Sequence, residues 1–150
     1  MNSDAAVFKA SNTAGIGIVV RNWHGAALAA LSMPAPLSMS VANLEALACC
    51  QAVIFCCRFG SSHNIFEGDV ASVINAICKG KDVLTSYGNL VDDIHSLVFV
   101  FQSAQIVYVH RGCNVVADAL VKKSKNLLGL QVWLDNMPED ISQLISFDVP

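Results

Sequence analysis

Basic residues are scarce in this chain. Nine Lys and Arg stand against twelve Asp and Glu in 150 residues, for a net charge of −3. A strong electrostatic binder of nucleic acid normally shows a basic footprint. The balance argues against such a binder, while leaving room for one that reaches phosphates through bound cations. Charge of either sign is thin, at 14%, and hydrophobic residues reach 54%, which excludes a disordered chain. Long apolar runs are nevertheless missing. A bilayer span needs roughly 18–20 apolar residues, and the longest candidate, ALACCQAVIFCC, is broken by Gln51 and flanked by Glu45 and Arg58. It reads as a buried helix, and no membrane partner is expected. The first residues lack the basic region and apolar core of a secretory signal. The expected compartment is therefore intracellular, with nucleus and cytoplasm not distinguished. Finger-type cysteine spacing is also absent. Four of the six cysteines form two adjacent pairs, Cys49–Cys50 and Cys56–Cys57, inside one helical pattern. Adjacent cysteines on a helix point apart, which suits neither a local disulfide nor a zinc finger. Free thiols are expected.

What is present is one domain's worth of alternating pattern. Residues 5–8 and 15–20 are strand-like, NWHG makes a turn, and 26–32 resumes an apolar run that Pro34 and Pro36 close. This predicts a three-stranded meander. The GIG at 15–17 is followed by no helix, so it is no phosphate cradle; it is expected to permit close strand packing. SMSVANLEALACCQAVIFCCRFG predicts a long helix, with Ser38 or Ser40 at its start and Gly60 at its stop. HNIFEGD predicts a fourth strand ending in an acid. A helix over 70–80, a loop over 81–88, a helix over 89–102, a strand over 104–110 and a helix over 115–125 follow. The order β-β-β-α-β-α-α-β-α predicts an α/β fold with a mixed sheet, antiparallel first and parallel afterwards. A domain over 1–130 is expected, with 131–150 as a loosely packed acidic tail.

The acids then stand out by position. Asp4 opens the first strand, Glu45 lies inside the apolar run of the long helix, Asp69 ends the fourth strand, and Asp118 lies one turn into the last helix. Taken singly, each reads as a cap or a dipole partner. Together they pose a problem, because an unpaired buried carboxylate is costly and converging ones repel. Hard cations such as Mg²⁺ or Mn²⁺ would resolve both. Two such ions can activate a water and stabilise the leaving oxygen in phosphodiester hydrolysis. Glu67, two residues before Asp69, is either a fifth carboxylate or a salt-bridge partner. Only Met1, Asn2 and Ser3 precede Asp4, so the strand is expected to fray at its start.

DAAVF (4–8), GIGIVVRNWHG (15–25), LEALACCQAV (44–53), FEGD (66–69), VYVHRGCNVVADALVKKS (107–124) and VWLDNMPEDI (132–141) occur in that order. In this the chain resembles the ribonuclease H-like domains of the type 1 class, and within them the plant reverse-transcriptase-like domains derived from retroelements. The resemblance implies a ribonuclease H-like fold with a five-stranded mixed sheet flanked by helices. It implies Asp4, Glu45, Asp69 and Asp118 as metal-binding catalytic carboxylates, Mg²⁺ or Mn²⁺ as cofactor, and endonucleolytic hydrolysis of the RNA strand of an RNA–DNA hybrid by a monomer. Many plant relatives carry histidine at the last acid; the aspartate here favours retained chemistry. His110 is expected to assist in moving a proton, although the RGCN loop beside it is shorter than in active relatives. Arg111 is expected to touch a phosphate. Asn114 is expected to cap the last helix and is grouped with Arg111 as a nucleic-acid contact. Lys122, Lys123 and Lys125 could touch a phosphate too, but read first as a solvated face. The competing reading is a non-catalytic nucleic-acid-binding domain that keeps the fold, and a third is a decayed retroelement fragment.

Overall fold

A computed structural model describes residues 1–80 and 85–148. The strands are β1 (Asn2–Phe8), β2 (Thr13–Arg21), β3 (Ala27–Ala35), β4 (His63–Gly68), β5 (Ser103–Tyr108) and β6 (Gln131–Leu134). The helices are α1 (Val41–Cys57), α2 (Ala71–Lys79), α3 (Gly88–Val98), α4 (Val115–Lys123) and α5 (Glu139–Phe147). The strands lie in the order β5-β4-β1-β2-β3-β6. The meander β1-β2-β3 is antiparallel, and β4 and β5 join it in parallel. Part of the expected 81–88 loop, 81–84, lies outside the described residues.

The sheet has six strands, one more than expected. The segment expected to be a loose tail supplies the extra one: β6 pairs antiparallel with β3, from Ala29–Leu134 to Ser32–Gln131. α5 then turns its apolar stripe inward. Ile141 is fully buried, and Leu144 and Ile145, three and four residues on, pack beside it with Trp133. Its acids are placed where they cost little. Glu139 and Asp140 sit in its first turn, favoured by the helix dipole. Asp140 pairs with Lys123, and Asp148 with Arg21.

Strand alternation divides the core in two. Ile16, Ile18 and Val20 of β2 face one side with Leu31, where they meet Leu44, Ala48 and Val53 of α1, Ile77 of α2 and Ile94 of α3. Each such Leu or Ile contributes about 1.5–3 kcal/mol by leaving water. That burial holds the end of α1, where Val53, Ile54 and Phe55 are weak helix formers. Ser40 caps its start, accepting from the Asn43 amide. All six cysteines are free thiols, and Cys49, Cys50 and Cys56 are buried as small apolar side chains.

The opposite face of the sheet is lined with small residues so that α4 can lie on it. A Cβ on Gly17 would sit 2.3 Å from the Ala117 carbonyl oxygen and 2.6 Å from the Val121 nitrogen. A Cβ on Gly15 would overlap the Ser124 hydroxyl. These glycines therefore serve a helix–sheet contact, not the close strand packing expected of them. Ala30 and Ser32 of β3 continue the shallow face, and the Ser32 hydroxyl donates to the Leu120 carbonyl at 2.6 Å.

Gly17→Ala is expected to destabilise the protein by about 2–3 kcal/mol, because its clash is with helix backbone that no rotamer can relieve. A urea midpoint unchanged from wild type would show that α4 does not rest on this glycine.

Candidate active site

β4 meets β1 over one register pair, Asn2 opposite Glu67, with the Glu67 amide donating to the Met1 carbonyl at 2.8 Å. A longer parallel ladder would next bring the Asp69 amide to the Ser3 carbonyl. The strands part there instead, and Asn114, the residue before α4, supplies the donor: its Nδ2 bonds Ser3 O at 2.9 Å. A crevice opens at the carboxyl end of β4, the usual place for a site in an α/β sheet. Asp4 and Asp69 line it from the two strands. Glu45 enters from the first half of α1.

The expected fraying of β1 is not seen. Asn2 is already paired, its side-chain amide donates to Glu67 at 2.7 Å, and the Met1 ammonium donates to the Ile65 carbonyl at 2.8 Å. Glu67 is thereby occupied in tying β1 to β4 and does not join the cluster.

Asp4, Glu45 and Asp69 each present a carboxylate oxygen within 4.8 Å of the other two. Asp4 is 2% exposed and Glu45 7%. Burial pushes the Glu45 carboxyl well above the ordinary carboxylate range, and the Asp4 charge and a hydrogen bond to Asp4 push it further. Asp4 is also raised, by burial first and then by the charge of Asp69, while the hydrogen bond from Glu45 opposes the rise. The two carboxyls thus titrate as a pair, with the larger rise at Glu45. Glu45 also accepts from the Ala5 amide at 3.3 Å. Hard oxygens crowded at this spacing fit a divalent cation of the Mg²⁺ or Mn²⁺ type.

The fourth acid stands apart. Asp118 is not within this group; its Oδ2 accepts from Lys122 Nζ at 2.6 Å, one turn along α4. It is near enough that its charge contributes to the rise of Asp4. Lys122 was named from the sequence, but its pairing with Asp118 was not foreseen. The Asp-x-x-x-Lys spacing was a visible sign of it.

A scan against family models matches residues 2–124 to one described as reverse transcriptase-like. The chain belongs to the reverse transcriptase-like family. A search of curated proteins returned no match. Among solved structures, RNase H1 from the archaeon Halobacterium salinarum superposes with a TM-score of 0.74 at 21% identity, over 82% of this chain and 93% of that one. The N-terminal RNase H domain of a Mycobacterium tuberculosis protein gives 0.72 at 19%, over 83% and 90%. An RNase H1 known as LC11, solved in complex with an RNA/DNA hybrid, gives 0.73 at 18%, over 83% and 94%. The fold is therefore ribonuclease H-like. β6 and α5 lie beyond the span that the family model matches.

In this reverse transcriptase-like chain His110 and Arg111 flank the site on an exposed turn. Arg111–Cys113 form one turn of 3-10 helix, and His110 Nδ1 accepts from the Gly112 amide at 3.3 Å. The His110 side chain is otherwise exposed. Asn114, expected as a helix cap and nucleic-acid contact, does occupy the N-cap position of α4, with its carbonyl accepting from the Asp118 amide at 3.0 Å, but it makes no side-chain cap bond and is 1% exposed. It works from inside, fixing Ser3 and hence Asp4, with its Oδ1 left without a partner. Lys123 is held by Asp140, and Lys125 lies 4.1 Å over the Phe8 ring.

Raised carboxyl pKa values mean that the folded state holds protons that the unfolded chain releases, so stability falls as pH rises from about 4 to beyond neutral. Without metal, Asp4→Asn and Glu45→Gln are each expected to raise the melting temperature at pH 8 by roughly 3–6 °C, at about 2–4 °C per kcal/mol for a chain of this size. Below pH 4 the gap should close. Melting curves that are parallel at both pH values would show the pair to be unstrained.

Proposed function

We propose that this domain hydrolyses the RNA strand of RNA–DNA hybrids, with Asp4, Glu45, Asp69 and Asp118 holding Mg²⁺ or Mn²⁺. The observation that carries the reading is the convergence of Asp4, Glu45 and Asp69 within 4.8 Å, two of them buried, at the parting of β1 and β4. A ribonuclease H-like fold with these acids in these places supports the assignment, as does the RNA/DNA hybrid bound by the LC11 enzyme. When bound, divalent ions supply Lewis-acid charge neutralisation at the scissile phosphate and an activated water.

The chain's own residues have distinct tasks. Glu45 and Asp4 present hard oxygens from rigid elements. Asp69, less buried at the strand end, faces the incoming phosphate. Asp118 completes the set from α4 once freed from Lys122. His110, with Nδ1 engaged by the Gly112 amide, offers Nε2 to hold or move a proton. Arg111, exposed on the same turn, contacts a phosphate and so positions the duplex. The 2′-OH distinguishes the RNA strand from the DNA strand. The products are a 5′-phosphate and a 3′-hydroxyl. A monomer is sufficient, since all these residues come from one chain.

The pairing of Asp118 with Lys122, outside the cluster, favours one second reading: a hybrid-binding domain without catalysis. The two separate in one experiment. Labelled hybrid incubated with Mg²⁺ or Mn²⁺ should be cut by the wild type, and Asp69→Asn should lower the rate by about 100-fold or more. Equal cutting by both would remove the catalytic reading. Binding of hybrid with no cutting by either would establish the second.

A further inference from the structure

We infer that Lys122 is a tethered counter-cation that competes with a divalent ion for Asp118, so that ion binding proceeds in two unequal steps. This inference rests on the proposed metal site. Three carboxylates already stand within 4.8 Å of one another, and the fourth is held aside by a lysine on its own helix. The Asp118 carboxylate and the Lys122 ammonium sit at 2.6 Å in the favoured order for an i,i+4 pair, acid first. The pair is weak by environment: the lysine side chain is 64% exposed, and water screens such pairs. It can therefore be displaced by a doubly charged ion. It still imposes a handicap on any ion that needs Asp118, and none on an ion held by Asp4, Glu45 and Asp69.

The neighbouring lysines allow a clean comparison. Lys123 carries the same charge on the same turn, but it faces α5 and pairs with Asp140 at 3.1 Å. A loss of positive charge in general would tighten ion binding equally from either position. Direct competition for Asp118 would act from Lys122 alone.

Calorimetric titration of the full chain with MnCl2, without nucleic acid, tests the inference. The wild type should bind one ion more tightly and a second more weakly. Lys122→Met should tighten the weaker step by about two- to five-fold, the size of an exposed ion pair, and leave the tighter step in place. Lys123→Met should leave both steps near wild type. Asp118→Asn should abolish the weaker step, and adding Lys122→Met to it should change nothing. Equal shifts from both lysine variants, no shift from Lys122→Met, or a shift that persists with Asp118→Asn would each overturn the inference. If the wild type shows only one step, a second that appears in Lys122→Met supports it, and continued absence overturns it. A wild type that takes up no Mn²⁺ at all would instead remove the metal site itself.

Discussion

Glu45 reaches from α1 across the edge of β1, accepts from the Ala5 amide, and meets the Asp4 carboxyl in a space almost closed to water. Bringing two carboxyls together in this way is unfavourable, and the rest of the molecule has to hold them there. α1 is anchored by its buried Leu44, Ala48 and Val53, so it cannot swing Glu45 out to solvent without opening the larger core. β1 is zipped to β2 over its whole length. The crowded acids are thus a strain imposed by well-packed neighbours, as is common where a fold sets aside stability for chemistry. A divalent cation is the natural way to relieve it.

The second support comes from the opposite face. α4 lies so close to the sheet that Gly15 and Gly17 leave no room for a Cβ, and this proximity lets one buried asparagine reach the main chain beside Asp4. The bond from Asn114 to Ser3 replaces the ladder bond lost where β4 turns away from β1. The crevice and its brace therefore have one origin. Strand divergence creates the opening, and the same divergence leaves a carbonyl that the helix must satisfy. A buried acceptor left unpaired there would cost about 1–3 kcal/mol, so the asparagine is as much a part of the fold as of the site.

How much of this was legible depended on the range of the signal. Asp4, Glu45 and Asp69 could be picked out because acids amid core-type neighbours are anomalous in a chain with so few charges. The meander and the helices showed through their periodicity. What stayed hidden was the partner of each local feature. GIG looked like a strand-packing device because the helix that needs it lies a hundred residues on. Asn114 looked like a side-chain cap because asparagine before a helix usually is one; its side chain's partner is 111 positions away. The 131–148 segment was read from its acids. Yet Ile141, Leu144 and Ile145 already had helical spacing, and Trp133 sat in a β-prone QVWL, so pattern outweighed composition there. Asp118 was placed with the others by its apolar neighbours and by the family resemblance. Neither says whether its carboxylate turns toward the sheet or toward a lysine one turn later.

These differences leave the site with two unlike halves. Asp4 and Glu45 are fixed by a strand, a buried helix and the Asn114 brace. Asp69 and Asp118 are more open, one at a strand end and one on a screened ion pair. Rigid placement of all four would maximise precision, but it would also sum the repulsion of four buried charges in the absence of metal. Keeping Asp69 and Asp118 only partly buried, with Asp118 paired to Lys122, lets the fold carry only part of that load. In the proposed metal site the more buried pair would define where a first cation sits, and Asp69 and Asp118 would adjust to a second. The walls of the crevice are already set by β1, α1 and α4.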